Sequence, residues 1–255
     1  MSARPARPED GIAWVTGASA GIGRAVAEEL ASRGWQVAIS ARRAADLDAM
    51  ATANKNFLAV PCDITDAAGV AAALARIEGA GRPVALALLN AGTYVPTEIT
   101  AFDLEAWKRQ IDVNLNGTAA CLAALLPGML ARKAGQIGIV SSVSGYRGLP
   151  RAAAYGAGKA ALINLAESLR LELAPRGVCV SLINPGFIRT PLTDKNDFPM
   201  PFLMEVAPAA SRLVDGLASG RFETTFPKRF TWMLKLLRLL PYALYFRLLA
   251  GTVRK

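Results

Sequence analysis

The sequence predicts an α/β fold with a doubly wound parallel sheet, and three observations lead there. Short apolar runs rich in Val, Ile and Leu recur along the chain, helical segments separate them, and the first run turns sharply into a glycine-rich helix start. At 255 residues, with 53% hydrophobic and 19% charged side chains, the chain can bury one sizeable core and remain a single domain.

The expected strands are Ile12–Thr16, Gln36–Ser40, Phe57–Pro61, Val84–Asn90, Gln136–Ser141 and Val178–Asn184. The helices between them should cover Ile22–Arg33, Ala45–Ala53, Ala67–Glu78, Asp103–Arg132, Ala153–Ala174 and Glu205–Ser219, the fourth bent near Pro127. Residues 1–11 are polar, bear Pro and Arg, lack the apolar core of a signal peptide, and read as a flexible lead-in. Residues 12–225 form the domain, and 226–255 a basic amphipathic helical tail. The Pro-rich stretch Pro185–Pro208 is too irregular for a core element and reads as a lid.

Composition excludes several chemistries. Histidine is absent, which removes Ser-His-Asp and Cys-His catalysis and most zinc hydrolases. Cys62, Cys121 and Cys179 lie far apart without metal spacing, so buried thiols in a reducing, cytoplasmic compartment are expected, with no metal site. The net charge of +9 is uneven: beyond Gly220 stand eight basic residues and Glu223 alone. Those basic residues alternate with Leu and aromatics and match no nucleic-acid reading motif, so no nucleic-acid partner is expected.

The segment Thr16-Gly17-Ala18-Ser19-Ala20-Gly21-Ile22-Gly23 places glycines where a strand turns into a helix. Glycine permits close backbone approach, and the helix N-terminus offers unpaired amides to a pyrophosphate. A turn that merely allows tight packing is the competing reading. At the end of the second strand, Ser40-Ala41-Arg42-Arg43 replaces the carboxylate that usually holds the ribose of NAD. Two guanidiniums suit a 2′-phosphate, so NADP(H) is favoured over NAD(H); a solvated helix start is the alternative. Asp63 can accept from adenine or cap the following helix.

Tyr155 and Lys159, four apart on a helix, share one face, and Ser141-Ser142 closes the preceding strand. An ammonium beside a phenol lowers its pKa and makes tyrosine a usable base, while Ser142 can hold a substrate oxygen. A Tyr-x-x-x-Lys pair alone is commonly a solvated surface pair; only the constellation carries the chemistry.

From about Gly11 to Pro227 the chain resembles the classical short-chain dehydrogenase/reductase family, of Rossmann fold. The resemblance rests on Thr16–Gly23, Asp63, Asn90-Ala91-Gly92, Asn114, Ser142, Tyr155-x-x-x-Lys159, Pro185-Gly186 and Thr190, with Leu89 where the family often has a second Asn. It implies an NADP(H)-dependent carbonyl/secondary-alcohol oxidoreductase. Asn114 would hold a relay water, Ser142 the substrate, Tyr155 the proton, and Lys159 also the nicotinamide ribose. Asn90 and Gly92 would support sheet and cofactor, Thr190 the carboxamide; Ile64, Ala91, Pro185, Gly186 and Ile188 join the cofactor set. Asn90 and Asn114 can equally serve backbone groups alone. The resemblance also implies a homo-oligomer paired through Asp103–Arg132 and Ala153–Ala174. A non-catalytic dinucleotide sensor, a soluble 3-oxoacyl thioester reductase and a sugar dehydrogenase are the competing functions.

Phe187, Leu192, Phe198, Met200, Phe202, Leu203 and Met204 point to an apolar pocket for a small lipophilic alcohol or ketone, or else pack the lid down. In the tail, Thr231, Lys235 and Arg238 form one polar stripe amid Leu and aromatics, and Pro241 interrupts the run. The expectation is docking on an anionic membrane surface, peripheral at its inner face, without crossing; an oligomer interface is the alternative.

Overall fold

The computed structural model describes residues 3–194 and 198–253. Seven strands form one parallel sheet in the order β3-β2-β1-β4-β5-β6-β7. They are β1 Ile12–Thr16, β2 Val37–Ser40, β3 Phe57–Ala59, β4 Val84–Leu89, β5 Gly135–Val140, β6 Val178–Pro185 and β7 Glu223–Phe226. The helices are α1 Gly21–Ser32, α2 Ala44–Ala53, α3 Ala67–Glu78, α4 Leu104–Ile111, α5 Gly117–Arg132, α6 Ala153–Leu173, α7 Val206–Ala218, α8 Lys228–Arg238 and α9 Tyr242–Val253.

The five inner strands β2, β1, β4, β5 and β6 are fully or nearly fully buried, as β-branched runs covered on both faces must be, while the edge strands β3 and β7 are partly buried. One core layer includes Val70, Leu125 and Leu162 of α3, α5 and α6. The other includes Leu30, Leu47 and Leu213 of α1, α2 and α7. Trp14 is completely buried, and its indole N–H donates to Ser40 Oγ at 2.9 Å, which removes the cost of an unpaired buried donor. The chain winds outward from β1 in both directions, so β1 and β4 flank the topological switch point where α/β sheets open a crevice.

Four expectations change. The long fourth helix is irregular at Asp112–Asn116, a π-helical turn, while α5 runs through Pro127. One extra residue per turn there re-aims Asn114, and such turns are frequent at functional sites. Residues 3–11 are held rather than loose: Ala6 N–H donates to Gln136 Oε1 at 2.9 Å, and Arg82 donates to the carbonyls of Pro8 and Glu9, both at 2.8 Å. The seventh strand, four half-polar residues, carries too little apolar periodicity to stand out in the sequence. The tail is not a separate appendage either, because Phe226 is fully buried in β7 and Phe230 and Leu234 of α8 join the core.

The polar stripe of the tail does not lie on the outer face as its pattern implies. Thr231 is fully buried, donating to Thr225 Oγ1 at 3.0 Å, and Lys235 pairs with Glu223 on β7, so both sit on the inward side with Phe230, Leu234 and Leu237 while Leu236 and Leu239 face outward. Glu223 explains this. Burial alone would raise its pKa, yet hydrogen bonds from Lys235, Tyr146 and Asn184 hold it below the ordinary value. A half-buried carboxylate that accepts from Tyr146 at 2.6 Å and Asn184 at 2.8 Å draws the nearest cation inward.

Candidate functional site

A cleft of about 500 Å³ opens at the carboxyl ends of the central strands. It is lined by Gly17, Ser19, Ala20, Gly21, Ile22 and Gly23 from the glycine turn, and by Arg42, Arg43, Asp63, Ile64, Asn90, Ala91 and Gly92 from the next strand ends. Ser142, Tyr155, Lys159, Pro185, Gly186, Ile188 and Thr190 complete the set that the sequence predicts, and Asn114 alone lies behind the wall.

The glycine turn is built to let something approach. Gly17 and Gly21 adopt φ of +68° and +56°, which a side chain rarely tolerates. A Cβ on Gly23 would lie 2.3 Å from Gly17 O and 2.5 Å from Asn90 Nδ2. Asn90 holds this turn: its Nδ2 donates to Thr16 O at 3.0 Å, and Thr16 Oγ1 accepts from Asn90 N and Ala91 N at 3.0 and 3.1 Å. The first turn of α1 has no side-chain cap, since Ala20 occupies the cap position, so its amides remain for a ligand anion. The residues present therefore fit a dinucleotide pyrophosphate.

Arg42 and Arg43 are exposed at the cleft edge. Arg43 reaches across to Ser19 Oγ at 3.3 Å and pairs with Asp46. Asp63 Oδ1 accepts from Thr65 N and Oγ1 at 3.0 and 2.8 Å, and these bonds, with Arg42 nearby, lower its pKa against the opposing effect of burial. The cap of α3 is Asp66, not Asp63, accepting from Ala68 N.

At the other end stand the titrating groups. Lys159 is buried and its Nζ donates to Val140 O at 2.8 Å, while it lies 5.5 Å from the centre of the Tyr155 ring. Ser141 is spent on structure, its hydroxyl donating to Lys159 O at 2.7 Å; Ser142 Oγ accepts from Ser144 N and hydrogen-bonds the Tyr155 phenol. Tyr94 packs edge-on to Tyr155 at 5.2 Å, a neighbour that no spacing rule pointed to.

One expectation about this end is corrected. Burial pushes the Tyr155 pKa up to about 12 against the Ser142 hydrogen bond, and burial pulls Lys159 down to about 8. The net shift of the phenol is upward rather than the expected lowering, because desolvation is its largest cause. Asn114 is engaged by backbone. Its Oδ1 accepts from Thr93 N at 2.8 Å and its Nδ2 donates to Thr93 O at 2.9 Å, so the side chain fastens the strand-end loop, the alternative role open to it from the sequence.

Of the seven apolar residues expected around substrate, Leu192 lines the cleft. Phe187 stacks on Phe230 at 5.4 Å and meets Phe198 at 5.9 Å, and Phe202 lies 6.0 Å from Phe230, so these rings hold the lid against α8. Lys195–Asp197, within the expected lid, lie outside the described residues. The cleft is also lined by Thr93, Val95, Ala106, Arg109, Gln110 and Val113, which the sequence did not single out. Their only signal was proximity in sequence to Asn90–Gly92 and Asn114.

Fold and cleft together define a dinucleotide-dependent oxidoreductase, and relatives agree. The short chain dehydrogenase profile matches residues 11–199. An uncharacterized oxidoreductase of Myxococcus xanthus is 38% identical over 237 residues, 91% of this chain and 94% of that protein. A short chain dehydrogenase of Burkholderia cenocepacia, solved in complex with NADP, superposes with a TM-score of 0.84 at 29% identity, covering 96% of this chain and 99% of that one. A short-chain dehydrogenase of Streptomyces avermitilis gives a TM-score of 0.81 at 26% identity, covering 96% and 98%. The chain belongs to the short-chain dehydrogenase family and is an NAD(P)-dependent oxidoreductase.

Proposed function

We propose that this enzyme is an NADP(H)-dependent cytoplasmic reductase of lipophilic ketones, with Tyr155 as its acid and the reverse alcohol oxidation on the same groups. The observation that carries this is the joined set Ser142, Tyr155 and Lys159 on the wall of a cleft whose glycine turn fits a pyrophosphate. A nicotinamide cofactor held by the glycine turn, Lys159 and Thr190 would supply the hydride. Ser142 orients the substrate oxygen, and Tyr155 gives it a proton as charge accumulates there. A phenol pushed up to about 12 is protonated at neutral pH, the form that donates in carbonyl reduction. Lys159 faces the ring and stabilises the phenolate that remains until solvent reprotonates it.

Arg42 and Arg43, with Ser19 beside them and no carboxylate at the end of β2, support a 2′-phosphate and so NADP(H). Val95, Ala106, Val113 and Leu192 on the substrate side support an apolar substrate, as does the exposed run Val95, Ile99, Phe102 and Leu104 leading to it. A homo-oligomer paired through α4, α5 and α6 fits the 78% exposure of Leu171 on α6, and sedimentation as a monomer at micromolar concentration would contradict it. For the chemistry the test is Tyr155→Phe, which should cut ketone reduction by about 10²- to 10⁴-fold while NADPH affinity stays within twofold or so. Turnover kept within a few-fold would refute the assignment.

A further inference from the structure

The outward face of α8 and α9 is apolar, and it is rigidly mounted. Trp232, Leu236 and Leu239 of the α8 turn are 62%, 64% and 79% exposed; Tyr242, Phe246 and Leu248 of α9 are 71%, 62% and 61% exposed. The tail thus contributes eight of the fifteen large hydrophobic side chains found exposed among the described residues. Such a concentration is more than a solvated surface normally carries. Its phase is fixed from beneath by the Lys235–Glu223 pair and by Phe230, which seats against Gly186 where a Cβ would come within 2.8 Å of its ring.

The join between the two helices is clamped as well. Arg147 donates to the carbonyls of Leu237 and Leu240 at 2.8 and 2.7 Å, satisfying the end of α8, and its guanidinium lies 3.9 Å from the Tyr245 ring centre. Tyr245 donates in turn to Gly148 O. The apolar face is therefore part of the folded domain rather than a frayed end.

Charge decides what covers it. Residues 226–255 carry seven basic side chains and no acidic one. A second copy seated symmetrically on this face would oppose like charges with no carboxylate to meet them. An anionic bilayer is complementary in both respects: Trp and Tyr suit the headgroup level, and Arg229 and Arg247, both exposed, suit anionic lipid. With 11 and 12 residues, α8 and α9 are each too short to span the hydrocarbon core.

We propose that the α8–α9 face docks this enzyme on anionic membranes, its leucine and aromatic side chains entering the acyl boundary. The inward turn of Lys235 is what makes this possible, because it spends the middle residue of the polar stripe on Glu223 and leaves Trp232, Leu236 and Leu239 outermost. The proposal is independent of which ketone is reduced. It also puts Gly186 and Arg147–Gly148, which border the cleft wall and the loop between Ser142 and Tyr155, in direct contact with the docked helices.

The test is flotation of the full chain with vesicles of phosphatidylcholine and phosphatidylglycerol at about two to one, with phosphatidylcholine alone as control. Binding to the anionic vesicles, weakened by salt, is expected. The triple variant Trp232→Glu, Leu236→Glu, Phe246→Glu should bind at least about a hundredfold less, and Arg229→Ala or Arg247→Ala about fivefold less each. Since these side chains are exposed, each variant should melt and bind NADPH as the parent does. Failure of the parent to float with anionic vesicles overturns the proposal. So does a parent oligomer that the triple variant dissociates, which would make a second copy the occupant. Equal binding by parent and triple variant overturns it too, since the lipid contact would lie elsewhere.

Discussion

Raising the pH should switch off ketone reduction through Lys159 rather than through Tyr155. Lys159 is 4% exposed and burial lowers its pKa from 10.5 to about 8, a penalty of about 3 kcal/mol on the charged form. The sign follows: the ammonium is fully present below about pH 8 and is lost above it, while Tyr155, raised to about 12, remains a phenol throughout. At 5.5 Å and an effective dielectric of about 20, the ammonium stabilises a nascent phenolate by about 3 kcal/mol, or about a hundredfold in rate. The kcat/KM for NADPH, followed by absorbance at saturating ketone, should be flat from about pH 6 to 8 and then fall toward a plateau about a hundredfold lower. In Lys159→Met the residual rate should be low and lack this limb. The same lowered pKa means the unfolded chain binds more protons between about pH 8 and 10, so stability should rise across that window in the parent and stay flatter in Lys159→Met. A limb near 10.5, or a limb at 8 that survives in Lys159→Met, would refute the reasoning.

Three further outcomes are expected. Replacing both Arg42 and Arg43 by Ala should raise KM for NADPH by about ten- to a hundredfold and leave KM for NADH within about threefold; equal effects in steady-state assays would remove the 2′-phosphate site. In Gly23→Ala the new Cβ would sit 2.3 Å from Gly17 O, so calorimetry should show cofactor binding weakened at least about tenfold, because backbone and Asn90 must both move. Glu223→Ala leaves Lys235 without its carboxylate and Tyr146 without its acceptor, and should cost about 1–3 kcal/mol in a denaturant titration; an unchanged midpoint would mean the pair does not hold α8.

Much of this molecule is readable from local pattern because its central strands are covered on both faces. Continuous apolar runs such as Val84–Leu89 have no alternative use, and the glycine turn, Ser142, Tyr155 and Lys159 are tied to fixed positions on that scaffold. What stayed hidden depended on groups far apart in sequence. Part of the cleft wall is assembled from the segment around Val95 and from α4, and Asn114, within a π-helical turn, bonds to Thr93. The sign of the Tyr155 shift was equally out of reach, since spacing says that Lys159 is near but not that both groups are desolvated.

The tail shows why amphipathic pattern alone cannot orient a helix. Periodicity identifies two stripes on α8, and the usual rule sends the apolar one inward. Burying Phe230 and Leu234 satisfies that rule only in part, because β7 places Glu223 beneath the helix among Tyr146 and Asn184. A half-buried carboxylate without a cation is costlier than a row of leucines left in water, whose exposure can be recovered wherever an apolar surface is available. The local electrostatic demand therefore fixes the helix phase, and the outer leucines and aromatics of α8 and α9 are left exposed. Removing the charge altogether is the change that frees α8 to turn its leucines in, and in Glu223→Leu with Lys235→Leu the tail should lose affinity for anionic vesicles even though its overall hydrophobicity has increased.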